Sequence, residues 1–302
     1  MNKYITVLLF TFVTGLLSAQ QTFRETKYFS KDLAYKPGEE IKISGERTFV
    51  TITSVNSDKV TAEVEVISRS TNQAQASVDL EKIKVRMQKK GSTIYYSNVL
   101  EINSPQDRPQ SNLKTILKLY VPFYAKIEIS NAYGELNLIG EIARVKSVSQ
   151  FCKTVCSDYK GELELESKYG SIECLNSTMK LTANGNRSDL ILTNTGGSIE
   201  AEIKYGSVDY SYSPDIELLD IKGEHSPMTV IVPEILTTNM VVKCKSCGIN
   251  IDNCKSISDE KISNKEHVIL LEAQDVKQVT ATLTSKKEDI KIITTNTFSN
   301  SN

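Results

Sequence analysis

An all-β fold, a right-handed parallel β-solenoid with an N-terminal β-rich cap section, is what this 302-residue chain predicts, and three observations predict it. Apolar residues recur in nines through the middle of the chain. Tyr-Gly pairs recur every 36 residues, at Tyr133-Gly134, Tyr169-Gly170 and Tyr205-Gly206. Helical periodicity is nearly absent, the one short candidate being Ser70 to Ile83.

The chain opens as a secretory signal, residues 1–19. Lys3 supplies the positive start, an apolar run of about 13 residues follows from Ile5 to Leu17, and Leu17-Ser18-Ala19 offers small residues for cleavage. The run is too short for a membrane span, and no later stretch approaches the length of one. The reading is therefore an exported protein with no transmembrane segment in its mature part, in the periplasm or on the cell surface of a Gram-negative-type bacterium.

Residues 20–120 form the expected capping section. Alternating runs at Glu40 to Ser44, Arg47 to Thr53, Lys59 to Ile67, Ile83 to Met87, Thr93 to Ile102 and Thr115 to Val121 read as antiparallel or irregular strands. Asn103 to Asn112, with Pro105 and Pro109, reads as a loop.

Residues 121–295 form the expected solenoid. Counting in nines from Ala125, the second position reads Ile127, Leu136, Val145, Thr154, Leu163, Ile172, Leu181, Leu190, Ile199 and Val208. The fourth reads Ile129, Leu138, Ser147, Cys156, Leu165, Cys174, Ala183, Leu192, Ala201 and Tyr210. Residues two apart in a strand share a face, so both series point inward and the polar residues between them point outward. One arm cannot bury its apolar pair alone, and stacking arms makes a continuous core. The Gly marks are read as tight turns of positive φ. Two arms, 18 residues, make one coil, which places the Tyr-Gly corners in one column on alternate coils. After residue 214 the register slips, and Val232-Pro233 echoes Val121-Pro122. Residues 296–302 read as a disordered tail.

Composition excludes several functions. The chain carries 36 basic and 37 acidic residues, which argues against nucleic acid. Two histidines, His225 and His267, offer little for imidazole chemistry, and no cofactor or metal site is expected. The six cysteines Cys152, Cys156, Cys174, Cys244, Cys247 and Cys254 are candidate disulfide or core residues in an oxidising compartment, with the connectivity open. Cys156 and Cys174 fall on inward positions 18 apart. Cys244 and Cys247 have the spacing of a redox or zinc half-motif without its partners.

The phrases Ser130-Asn131-Ala132-Tyr133-Gly134-Glu135-Leu136, Ser167-Lys168-Tyr169-Gly170-Ser171-Ile172 and Lys204-Tyr205-Gly206-Ser207-Val208, with Pro37-Gly38 and Val121-Pro122, resemble the bacterial putative-adhesin domain family. The resemblance spans roughly residues 27 to 295. It implies an exported β-solenoid domain of largely unknown function and supplies no catalytic residues.

Two surface features are candidate sites. Tyr133, Tyr169 and Tyr205 could offer rings to a sugar, or could form a stabilising corner ladder. Glu162, Glu164 and Glu166, with Glu200 and Glu202, could hold Ca²⁺ or act on a glycoside, but read more simply as a solvated strand face balanced by Lys168 and Lys204. The functional expectation is a non-enzymatic putative adhesin or envelope-associated binding protein, with a cell-surface glycan or an envelope protein as partner. The alternative is a periplasmic scaffold or signalling accessory. A polysaccharide-active β-helix enzyme ranks below both, because arms of nearly constant length from 125 to 214 leave little room for cleft-building loops.

Overall fold

The structure, a computed structural model, describes residues 22–252, 257–263, 266–273 and 277–295. The signal segment, the C-terminal tail and Cys254 lie outside the described residues. Strands in chain order are β1 (Phe23–Ala34), β2 (Glu40–Glu46), β3 (Thr48–Val55), β4 (Lys59–Ser70), β5 (Ile83–Lys90), β6 (Thr93–Leu100) and β7 (Asn112–Pro122). They continue as β8 (Lys126–Ala132), β9 (Glu135–Gln150), β10 (Lys153–Lys168), β11 (Ser171–Asn186), β12 (Asp189–Lys204), β13 (Val208–Ser211) and β14 (Ile216–Glu224). The last are β15 (Met228–Pro233), β16 (Thr238–Lys245), β17 (Ile249–Asp252), β18 (Ile257–Ile262), β19 (Glu266–Leu271), β20 (Lys277–Lys286) and β21 (Ile290–Thr295). A helix, α1 (Gln73–Leu80), interrupts them inside the stretch that the sequence marked.

The protein is thus all-β, with one open sheet of mixed strand direction. Its centre is parallel and in register. Lys153 lies beside Ser171 and Ser171 beside Asp189, each step being 18 residues, the length of two nine-residue arms. Strands β9 to β12 bend near their middles, so each contributes one half to each of two rows. One row runs β5-β6-β2-β8 through the second halves of β9 to β12 to β14-β20-β16-β19-β18. The other runs β1-β4-β7-β3 through the first halves to β13-β15-β21-β17.

All twenty residues of the two inward series are buried, including Thr154 and Ser147. They join a single hydrophobic core that runs the length of the stack. Adjacent coils offer inward side chains only in pairs, so each coil is stabilised by the two beside it.

The expected parallel arrangement of residues 121–295 needs correction at its C-terminal end. There β19 pairs antiparallel with both β16 and β18. The N-terminal end is likewise antiparallel, through β1–β4, β4–β7 and β5–β6. The physical reason is the exposed edge: a stack of parallel coils ends in unpaired backbone groups that template further pairing, and hairpins laid against it interrupt that template. Strands also interleave. The pair β2–β3, from the cap section, lies between β6–β7 and β8–β9. The pair β20–β21 lies between β14–β15 and β16–β17.

The helix is held at the N-terminal end by a buried carboxylate. Asn72 caps it by accepting from the Gln75 backbone N–H at 3.2 Å. Asp79, on its last turn, accepts from the Gln110 and Ser111 backbone N–H groups, each at 2.9 Å, and from Ser111 Oγ at 2.8 Å. Its other oxygen faces Lys82 Nζ at 3.0 Å. Burial raises the Asp79 pKa, but hydrogen bonds from Gln75, Lys82 and Ser111 outweigh it and the net direction is down.

Leu163 is fully buried at the centre of the stack. Its burial is worth about 1.5–3 kcal/mol, and an unpaired charge in its place costs more. Leu163→Asp should abolish the cooperative thermal transition seen by circular dichroism; a parent-like melt would refute the inward register. Because the folded Asp79 pKa lies below the unfolded value of about 4, its contribution is present above that pH and is lost as pH falls through the lower folded value. Asp79→Asn should therefore destabilise by about 2–3 kcal/mol near neutrality. The gap to the parent should shrink in acid-titration melts.

Candidate functional site

The stack turns at two corners per coil, and at one of them a single residue per coil takes the left-handed conformation. Through the body of the stack these are Tyr133, Phe151, Tyr169, Arg187, Tyr205 and His225, with φ of 58°, 54°, 58°, 52°, 58° and 51°; Arg47 on the coil before them, and Lys287 and Ser246 on the coils beyond, share the conformation at 52°, 74° and 58°. Each of the six in the body donates its backbone N–H across to the coil above: Tyr133 to Gln150 O at 3.0 Å, Phe151 to Lys168 O at 2.8 Å, Tyr169 to Asn186 O at 3.1 Å, Arg187 to Lys204 O at 2.7 Å, Tyr205 to Glu224 O at 3.0 Å and His225 to Lys286 O at 3.0 Å. A left-handed non-glycine residue costs roughly 1–2 kcal/mol. The rings offset part of that cost by stacking.

The stacking is close to parallel. Tyr133 and Phe151 lie 5.0 Å apart at 7°, Phe151 and Tyr169 4.9 Å apart at 12°, and Tyr205 and His225 5.1 Å apart at 8°. The Arg187 guanidinium sits 5.4 Å from the Tyr169 ring centre. His225 Nε2 meets Lys287 Nζ at 3.0 Å beyond the column. Parallel rings about 5 Å apart gain roughly 0.5–1.5 kcal/mol per pair beyond their burial.

The sequence expectation of Tyr133, Tyr169 and Tyr205 in one column on alternate coils matches this geometry, but the column is fuller than expected. Phe151 and Arg187 fill the intervening coils, and His225 continues it. Counting from Tyr133 in eighteens would have found the first two; His225 arrives two residues late because its coil is longer. The rings remain exposed, by 55% at Tyr133 and 57% at Tyr205. Phe151 has both faces covered by neighbours, and Tyr169 lies between Phe151 and Arg187. What a ligand meets at these rings is edges and phenolic hydroxyls.

Of the glycine marks, Gly161 and Gly197 take positive φ as the sequence reading expects, at 137° and 88°, whereas the three that follow tyrosines do a different job. Positive φ falls on the tyrosines, whereas Gly134, Gly170 and Gly206 are needed for space: a Cβ there would overlap the carbonyl oxygens of Thr48, Cys152 and Ser188. The two corner types alternate. Gly134, Gly170 and Gly206 donate their N–H groups to Cys152 Sγ, Ser188 Oγ and Ser226 Oγ, at 3.3, 3.2 and 3.3 Å. The backbone of a small polar residue on one coil, Cys152 or Ser188, therefore requires glycine on the coil after it, Gly170 or Gly206, which doubles the 18-residue coil into a 36-residue phrase. At the opposite corner Gly140, Asp158, Asn176 and Asn194 take positive φ, and Asn194 Nδ2 donates to Asn176 Oδ1 at 2.9 Å.

The cysteines divide. Cys152 is a corner residue, with burial raising its thiol pKa. Cys156 and Cys174 are register partners in the core, buried as free thiols; the Cys156 value is raised by its hydrogen bond to Cys174 and by burial. Cys244 and Cys247 form a disulfide across Ser246, itself at φ 58°. Cys247 follows Ser246 as Cys152 follows Phe151, so the bond spans a corner that other coils close by hydrogen bonding. His267 Nδ1 accepts from the Ile249 backbone N–H at 3.2 Å.

The acidic residues lie on the outer face of the other row. Glu164 meets Lys146 at 2.6 Å and Arg144 at 3.4 Å, Glu162 meets Lys180 at 3.2 Å, and Glu202 meets Lys204 at 2.8 Å. Hydrogen bonding to Lys146 lowers the Glu164 pKa. Among the described residues no three His, Cys, Asp or Glu side chains are grouped to hold a metal ion, and no helix is long and apolar enough to cross a membrane.

No protein-family model matches the chain, and no curated protein matches it. Solved structures do. One is a putative cell adhesion protein from Clostridium sporogenes, 11% identical, covering 90% of this chain and 100% of its own, with a TM-score of 0.28. Another is a putative adhesin from Parabacteroides merdae, 10% identical, covering 88% and 96%, with a TM-score of 0.38. A third is a putative adhesin from Bacteroides fragilis, 10% identical, covering 89% and 97%, with a TM-score of 0.35. These three are described as a putative cell adhesion protein and two putative adhesins. At such identities and TM-scores, function has to be read from this chain's own residues.

Gly170→Ala should lower the thermal midpoint by several degrees, because its methyl meets backbone rather than a side chain that can turn away. A neutral effect in a thermal melt would refute the alternating corner.

Proposed function

We propose that the chain is an exported, non-enzymatic envelope-binding protein of adhesin type, and that its recognition surface is the exposed column of Tyr133, Tyr169 and Tyr205 with its neighbours. The observation that carries the reading is that column itself. A stack can close its corners with asparagine or glycine, as the opposite corner does, so five exposed aromatic or basic residues in succession, followed by the half-buried His225, exceed what turning the chain requires. Aromatic and arginine side chains are the types enriched where proteins bind partners.

In this reading residues 1–19 direct export, residues 20–120 begin and cap the stack, and residues 121–295 form a right-handed parallel β-solenoid. The 18-residue register and the bends of β9 to β12 support the solenoid, and right-handedness follows the preference of parallel crossovers. The partner is a cell-surface glycan or an envelope protein, met at ring edges and hydroxyls.

Protease shaving of intact cells tests location, with loss of the protein expected. A triple Tyr133→Ala, Tyr169→Ala, Tyr205→Ala protein tests the surface. It should fold and yet lose at least tenfold in retention on envelope fractions in a pull-down. Parent-like retention by the folded triple variant would overturn the assignment.

A further inference from the structure

Two segments 36 residues apart read Glu164-Leu165-Glu166-Ser167-Lys168-Tyr169-Gly170-Ser171 and Glu200-Ala201-Glu202-Ile203-Lys204-Tyr205-Gly206-Ser207. Their inward residues differ: Leu165 against Ala201, and Ser167 against Ile203, all buried. Their outward residues are the same: Glu, Glu, Lys, Tyr. Packing alone would produce the reverse, with the core matched and the surface free.

The register explains what the matched surfaces enclose. Glu166 lies beside Asn184, and Asn184 beside Glu202; Lys168 lies beside Asn186, and Asn186 beside Lys204. The two copies are therefore the walls of a trough whose floor is the shorter series Thr182, Asn184 and Asn186 on the coil between them. Neighbouring strands are about 4.8 Å apart, so the walls stand roughly 10 Å apart, and the floor runs roughly 13 Å along the strand. A hollow of ≈ 290 Å³ opens over its Asn184–Asn186 end between the two walls, and one of ≈ 160 Å³ begins over Thr182 and Asn184 and continues past Glu200 and Glu202 to Asp220 and Lys222 on the next coil. At one end the walls carry Tyr169 and Tyr205, and Arg187 rises between them.

On this face charges are tied across coils, as in Lys42–Glu128 at 2.8 Å, and one wall residue, Glu164, is tied in the same way to Lys146 at 2.6 Å, outside the trough. In the trough Glu202 meets Lys204 at 2.8 Å along one wall, whereas, among the described residues, Glu166, Glu200 and Lys168 make no ion pair and the side-chain amides of Asn184 and Asn186 make no hydrogen bond. The site thus offers amide donors and acceptors on the floor and carboxylates on both walls. Acidic Glu166, Glu200, Glu202 and Asp220 around the hollows are balanced by basic Lys168, Lys204 and Lys222 with Arg187 at the corner, a lining of no net charge that favours an uncharged ligand over an anionic one.

We infer that this trough binds a linear, uncharged glycan, laid along Thr182–Asn184–Asn186 with its hydroxyls on the Asn amides and wall carboxylates and one end reaching the Tyr169–Arg187–Tyr205 corner. The inference rests on the envelope-binding reading and deepens it by naming the groove and the ligand class.

The test is calorimetric titration of the full protein with β1,4-linked hexamers of glucose and of N-acetylglucosamine, and with a hyaluronan hexamer as the anionic probe. At least one uncharged hexamer should bind. The double variant Asn184→Leu, Asn186→Leu, whose outward side chains leave the core untouched, should keep its melting profile and bind at least tenfold more weakly; Asn184→Gln should recover part of the affinity in the Asn186 background. If neither uncharged hexamer binds, if only hyaluronan binds, or if the folded leucine variant binds as the parent does, the trough assignment is overturned. Retention of the parent on envelope fractions in that case leaves the column reading standing, whereas loss of both removes both.

Discussion

In-register stacking of parallel strands is the constraint from which the rest of this structure follows. Once Thr154 lies beside Ile172 and Ile172 beside Leu190, every side chain is placed above the one 18 residues earlier. Like positions form columns, and a column can only be one of a few things. Inside, it is a line of aliphatic contacts. On the outer faces, it is a line of charges that must alternate or be tied to neighbours. At a corner, it is a line of residues sharing one backbone conformation. The protein shows all three, and the stacking of Tyr133 on Phe151 on Tyr169 needs no cause beyond the register that puts them there.

The same constraint decides what the sequence reveals. The inward series was legible because burial acts on every coil alike and leaves a nine-residue period of apolar residues. The aromatic column was only half legible: its shared property is a positive φ, which Tyr, Phe, Arg and His all adopt here and which no residue type advertises. The 36-residue phrase was visible, but its cause was not. That cause is the approach of Cys152 and Ser188 to Gly170 and Gly206, a contact between coils that appears in the sequence only as glycine.

The ends were the least legible part. Lys42 meets Glu128 across 86 residues of chain, because β2 lies between β6 and β8. Nothing periodic links those segments. Interleaving has an energetic logic, however. A coil added in sequence order at the end of a stack is supported on one side only, whereas β20–β21 and β2–β3 have partners on both sides and bury Leu283, Ile292, Ile41 and Ile52 completely. Placing distant segments there joins the chain's extremities to its body, so the outermost coils do not depend on a single line of hydrogen bonds.

A stack built this way separates the residues that hold it from those that can recognise something. The inward face of a coil has no freedom to follow a ligand, since each side chain there is shared with two neighbours. The outward face has that freedom, and it is informative where it is not used. Duplication of the Glu-x-Glu-x-Lys-Tyr phrase would be expected to decay first at its solvent-facing positions, because substitutions there usually change stability by less than about 0.5 kcal/mol. In this chain the solvent-facing positions are the ones that agree and the buried ones are those that differ. Stability cannot account for that pattern, and a requirement acting from outside the protein, on both walls of one trough at once, does.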